Sequence, residues 1–182
     1  MFVGGGPPGY HVRDQEAITA QLPPCPVPPA TRAGLTPVRL DPYPATVWLP
    51  DPATADPLEG PDPPWTRGWE WTSGESLTIL LLRPADLPWL QGIGGHPEGS
   101  TCAILAGRPM AVEPPCRFVE AADGLRQDPE VNRGYTVYGY VDERTRFWAE
   151  IDAPTPEQGD RLLAALLTLE QDGEAGPVDA DA

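Results

Sequence analysis

The sequence predicts an α+β fold: an antiparallel sheet built from hairpins, one packed C-terminal helix, and a proline-rich N-terminal arm in front of them. Three observations carry this. β-Type runs come in neighbouring pairs between residues 69 and 151, joined by Gly- or Asp-containing turns. A single stretch after residue 155 repeats leucine at helical spacing. Sixteen of the 26 prolines fall in the first 64 residues, where regular structure is hardest to sustain. Strand pairs followed by one amphipathic helix imply a sheet with a helix on its face. At 182 residues, the chain divides into an arm over 1–40, one domain over 41–172 and an acidic tail over 173–182, expected to be disordered.

Asp14 to Leu22 suits two helical turns, with Asp14 as cap and Glu16 in the first turn, stopped by Pro23 and Pro24. Residues 23–37 favour an extended or polyproline II path. Ala45–Leu49 is a short strand, and residues 50–64 are a Pro/Asp/Gly loop. Trp69-Glu70-Trp71 alternates and pairs across Thr72–Glu75 with Ser76–Arg83, a run apolar on both faces and therefore central. Pro84–Leu90 suits a short helix, followed by a glycine loop over 92–95. Cys102–Ala106 and Met110–Glu113 form a second hairpin around Gly107-Arg108-Pro109. Residues 118–127 read as a helical turn or two. Tyr135–Val141 and Arg146–Ile151 make a third hairpin, with aromatics on both faces that ask for cover on both sides. Thr155-Pro156-Glu157-Gln158 is a capping box. It starts a helix reaching about Gln171, with Leu162, Leu163, Leu166 and Leu167 on one stripe.

The run from Gly134 through the third hairpin, the Ala-Pro-Thr-Pro-Glu-Gln cap and the Leu-rich helix to Leu169 resembles the C-terminal half of Mog1/PsbP-like domains. Such domains are mostly adaptor, assembly or binding modules. The resemblance rests on a structural pattern and implies no catalytic residue.

Charge narrows the function classes. The chain carries −15, with 12 Arg, no Lys and 27 acids. The arm holds three Arg against two acids, so the negative charge belongs to the domain and tail. Nucleic-acid binding is therefore not expected, since phosphate affinity comes mainly from Lys and Arg. The missing lysine excludes Schiff-base and Walker-type lysine chemistry. No run approaches the roughly 18 apolar residues of a membrane span, and the first residues do not read as a signal peptide. The expected location is cytoplasmic.

Few residues suggest chemistry. Gly95-His96-Pro97-Glu98-Gly99 places His96 and Glu98 in one loop, six residues before Cys102. They are candidate metal ligands, although structural zinc wants four ligands in set spacings. No cofactor is predicted. Cys102 and Cys116 straddle Pro109, and a hairpin centred there would oppose them at disulfide spacing. Such a bond would move the expected location to the cell envelope. Trp65, Trp69 and Trp71 lie within seven residues and are either core or the lining of a ligand or partner groove.

The reading that follows is a non-enzymatic interaction or assembly-accessory protein whose partner is another protein. Two alternatives stand beside it. One is a metal- or small-ligand-binding protein or enzyme using His96, Glu98 and Cys102. The other is a cell-envelope lipoprotein-like domain lacking its export signal. Oligomeric state stays open.

Overall fold

The computed structural model describes residues 8–57, 66–82, 96, 98–113, 118–122, 124–127 and 134–173. The chain is α+β, with antiparallel sheets and one main packed helix. The order of elements is α1 (Pro8–Thr19), β1 (Thr36–Arg39), β2 (Ala45–Leu49), a 3₁₀ turn (Pro52–Thr54), β3 (Asp56–Pro57), β4 (Thr66–Glu70), β5 (Ser76–Leu82), β6 (Thr101–Leu105), β7 (Arg108–Glu113), β8 (Phe118–Ala121), β9 (Gly124–Gln127), β10 (Tyr135–Tyr140), β11 (Arg146–Asp152), α2 (Pro156–Leu166) and β12 (Glu170–Gln171).

The main sheet runs β3-β4-β5-β11-β10-β7-β6, and a small one runs β1-β2-β12. β5 lies between β4 and β11, in keeping with its apolar run. Leu77, Ile79 and Leu81 of β5 face the core with Phe147, Ala149 and Ile151 of β11 and Val137 of β10. α2 closes that face with buried Leu162, Leu163 and Leu166, and β2 adds Val47 and Leu49. Burying three leucines supplies about 5–9 kcal/mol of gross transfer energy, most of it offset by ordering entropy.

The α2 cap forms with one change of partner. Thr155 Oγ1 accepts from the Gln158 amide at 3.3 Å and donates to Gln158 Oε1 at 2.9 Å. Gln158 Nε2 then donates to Glu75 at 2.9 Å, tying the helix start to the β4–β5 turn. The helix stops at Leu166, short of Gln171, because the chain turns and Glu170–Gln171 pairs with β2 as β12. Leu167 caps the helix end and is only partly buried.

Four other expectations are corrected. Helix α1 begins at Pro8 and ends at Thr19, so Asp14 is interior and caps nothing. Residues 36–39, assigned to the arm, pair with β2 as a strand. Residues 118–127 form a hairpin, not a helical turn: Val119 and Glu120 pair with Arg126 and Leu125. The β6–β7 turn sits at Ala106-Gly107, not around Pro109.

That last shift matters most. Ala106 and Gly107 have φ of 51° and 74°, the paired left-handed residues of a two-residue type I′ turn. Leu105 then pairs with Arg108 and Cys102 with Ala111. Pro109 is a strand residue. By alternation its missing donor faces away from β6, towards β10. The β7–β10 pairing stops at Ala111, so no ladder bond is lost there. The Pro84–Leu90 helix, the 92–95 loop and residues 174–182 lie outside the described residues.

Candidate functional site

The structure disperses the residues singled out for chemistry. Trp69 and Trp71 are core, 8% and 7% exposed. The Trp71 indole donates to the Pro50 carbonyl at 2.9 Å. A groove lined by these two rings is therefore ruled out: the sheet needs them to fill the core beside β5. Trp65 lies outside the described residues. Cys102 is a free thiol, and its partner across the hairpin is Ala111. The register that would have opposed it to Cys116 does not form, and Cys116 itself lies outside the described residues. Burial pushes the Cys102 thiol up from its ordinary value, the wrong direction for a nucleophile.

His96 does not join Glu98 and Cys102. Its Nδ1 lies 2.8 Å from the Tyr138 hydroxyl, and its Nε2 lies 3.2 Å from Thr19 Oγ1. Glu98 is exposed. Both imidazole nitrogens are engaged, and no group of three or more His, Cys, Asp or Glu side chains suited to a metal occurs among the described residues. The His96/Glu98/Cys102 site is thus replaced by a different arrangement.

That arrangement is a hydrogen-bonded chain on the sheet face opposite α2. Tyr138 donates to Glu113 Oε1 at 2.5 Å and stacks on Trp148, centroids 5.4 Å apart. Burial and the neighbouring carboxylate push the Tyr138 phenol well above its ordinary range, so it remains a donor. Its single proton goes to Glu113, so the phenol oxygen accepts from His96 Nδ1–H. Nε2 meets the Thr19 hydroxyl on the other side of the ring. The order is Thr19 to His96 to Tyr138 to Glu113. Thr19 is buried at the end of α1, so this chain fastens the helix to the sheet. A second tie is the ion pair of Arg108 with Glu16 at 2.7 Å.

After α1 the chain crosses the outer edge of the main sheet. The Cys102 amide donates to the Pro23 carbonyl at 2.7 Å, and the Cys102 carbonyl accepts from the Cys25 amide at 2.8 Å, a one-residue parallel bridge. Cys25 turns inward, part-buried against the core. Its thiol meets the Thr101 hydroxyl and lies near Asp160, which accepts from Tyr135 at 2.5 Å. The arm then reaches the small sheet, where Arg32 stacks over Trp48 at 3.7 Å and pairs with Glu170.

The bridge reveals the state of the rest of β6. Cys102 turns both backbone groups outward, and in an antiparallel pair this alternates. Ile104, two residues on, therefore also points its amide and carbonyl outward. The Val27 amide, which a continuing parallel strand would aim at the Ile104 carbonyl, instead donates to the Cys25 carbonyl at 2.9 Å. The Ile104 side chain is 61% exposed. Beside it opens a groove of about 370 Å³ lined by Ile104, Ala106, Gly107, Arg32, Leu169 and Glu170, among others.

Neither Ile104 nor Thr19 is marked by a motif. Ile104 could be found only from the hairpin register, and Thr19 only from the fold. Glu113 and Tyr138 were legible as strand residues but not as partners. No family model matches the chain, and no curated protein does.

Proposed function

We propose that the protein is a binding module that takes an extended segment of another protein along the outer edge of β6. The observation that carries this is Ile104, whose outward backbone groups and exposed side chain sit beside an open groove, two residues after Cys102, whose own edge is already paired. Adding a strand to a sheet edge draws affinity from backbone bonds and specificity from side-chain niches. The resemblance of residues 134–169 to Mog1/PsbP-like domains, mostly adaptor, assembly or binding modules, agrees with this reading. No catalytic step is required of the buried His96 chain.

A library of random linear peptides displayed on phage tests the proposal. Peptides enriched on the wild-type protein are expected to shift the amide resonances of residues 101–105 and to lose at least tenfold in affinity to Ile104→Pro, which removes one outward donor. The same affinity for Ile104→Pro and Ile104→Glu as for wild type would refute it.

A further inference from the structure

We infer that the segment bound at the β6 edge lies between two sheet edges and pairs with both, at Ile104 of the main sheet and at Gln171 of the small one, and that it is a basic stretch of a partner protein carrying one bulky apolar side chain. This rests on the edge reading above and adds a second docking edge and the chemistry of the occupant. The arm stays where it is.

The second edge follows from register. β12 is the outermost strand of the β1-β2-β12 sheet. The Asp172 amide donates to the Pro44 carbonyl at 2.7 Å, so Asp172 turns its backbone groups towards β2. Antiparallel pairing alternates. Gln171, opposite Ala45, therefore turns its amide and carbonyl away from β2. The middle strand agrees: the Ala45 carbonyl accepts from Leu40 on the β1 side, while the Trp48 amide donates to Thr168 Oγ1 on the β12 side. The outward amide and carbonyl of Gln171 have no partner among the described residues. Its side chain is spent internally, donating to the Tyr43 hydroxyl and the Val141 carbonyl at 2.7 Å each.

Both edges open on one space. The groove of about 370 Å³ is lined by Ile104, Ala106 and Gly107 on the β6 side and by residues 167–171 on the β12 side, with Ala30 and Arg32 of the arm as its wall. An extended segment seated there meets an unpaired donor and an unpaired acceptor on each flank, and its bonds would join the two sheets. Strand addition leaves specificity to side chains. Ala106 and Gly107 are small and leave room, while Leu167 and Leu169 supply apolar surface, which calls for one bulky apolar side chain. Charge supplies the rest of the selection. The chain carries −15, a field that draws in a basic segment and repels a second copy of this chain.

The test uses the full chain, isotopically labelled, and peptides enriched on it from the library of random linear peptides displayed on phage. On saturation, the Gln171 amide resonance is expected to shift together with those of residues 101–105, and its hydrogen exchange to slow at least tenfold. Gln171→Pro, which removes the outward donor, should weaken binding at least tenfold. Gln171→Ala, which loses only the side-chain bonds, should stay within threefold of wild type. The enriched sequences should be basic around one bulky apolar residue and lose affinity as salt is raised. Shifts at residues 101–105 with Gln171 unchanged in shift and exchange would leave the edge site standing and overturn the bridge; this comparison is made on the wild type and holds even if Gln171→Pro folds poorly. No shift at residues 101–105 would overturn both. Acidic or salt-insensitive peptides would overturn the basic occupant. A concentration-dependent dimer of the free protein would give the groove to a second copy and also overturn the proposal.

Discussion

Replacing Tyr138 by Phe isolates the hydroxyl at the centre of the buried chain. The ring, its burial and its stack on Trp148 are kept, so apolar area is unchanged. What goes is a charge-assisted bond to Glu113 at 2.5 Å and a contact with His96 at 2.8 Å. Bonds to charged groups contribute about 1.5–3 kcal/mol and neutral ones about 0.5–1.5. Glu113 is partly solvated, which lets water replace some of the loss, so Tyr138→Phe is expected to cost about 2–3 kcal/mol. Glu113→Gln keeps the shape and an acceptor and should cost about 1 kcal/mol. If the two act through one bond, the double variant loses less than the sum of the singles by about 1 kcal/mol. Urea unfolding with a common slope measures all three. A Tyr138→Phe loss below about 0.5 kcal/mol, or strict additivity, would show that the chain does not act as a unit.

Three further outcomes follow from the packing and polar contacts. Leu163→Ala removes a fully buried α2 side chain and is expected to cost about 2–5 kcal/mol in chemical denaturation. Ser100 is buried and its hydroxyl has no hydrogen-bond partner among the described residues, so Ser100→Ala should leave stability unchanged or raise it by up to about 1 kcal/mol; a clear loss would point to a partner for that hydroxyl. Burial pushes the Asp142 carboxyl up, but donors from the Arg144 and Thr145 amides, at 2.7 Å each, and from the Thr145 and Tyr43 hydroxyls outweigh it, so the net shift is downward. Its stabilisation is therefore complete above the unfolded value of about 3.9 and is lost as pH falls through the lower folded value. Melting curves of Asp142→Asn and wild type should differ at pH 7 and converge in strong acid.

Much of the fold was readable because local chemistry and tertiary demand agreed. The Thr155 cap, the leucine stripe, the central β5 and the third hairpin each follow from side-chain periodicity and turn residues. The difference with the largest consequence has a local cause: proline marks turns and edge strands alike. Pro109 reads as the apex of its hairpin, yet the apex lies two to three residues earlier, where Ala106 accepts a left-handed backbone beside Gly107. That small error moved Cys102 five positions along its partner strand and created an apparent disulfide. The site was illegible for a different reason. Thr19, His96, Glu113 and Tyr138 span about 120 residues and meet only because the arm and the sheet bring them to one face. No spacing rule encodes such a meeting. The edge at Ile104 is a property of pairing, which a sequence of alternating side chains does not display.

The arm's crossing has a consequence for the protein in solution. A sheet with open edges recruits further strands, and crowded chains then stack edge to edge into insoluble aggregates. Here one edge of the main sheet, β3, is two residues long and ends in Pro57. The other is closed at Cys102 by a segment almost without donors, leaving a single residue's worth of template at Ile104. Proline in this arm thus serves as a guard against self-association, and variants that free the arm should be judged for turbidity on storage as well as for binding.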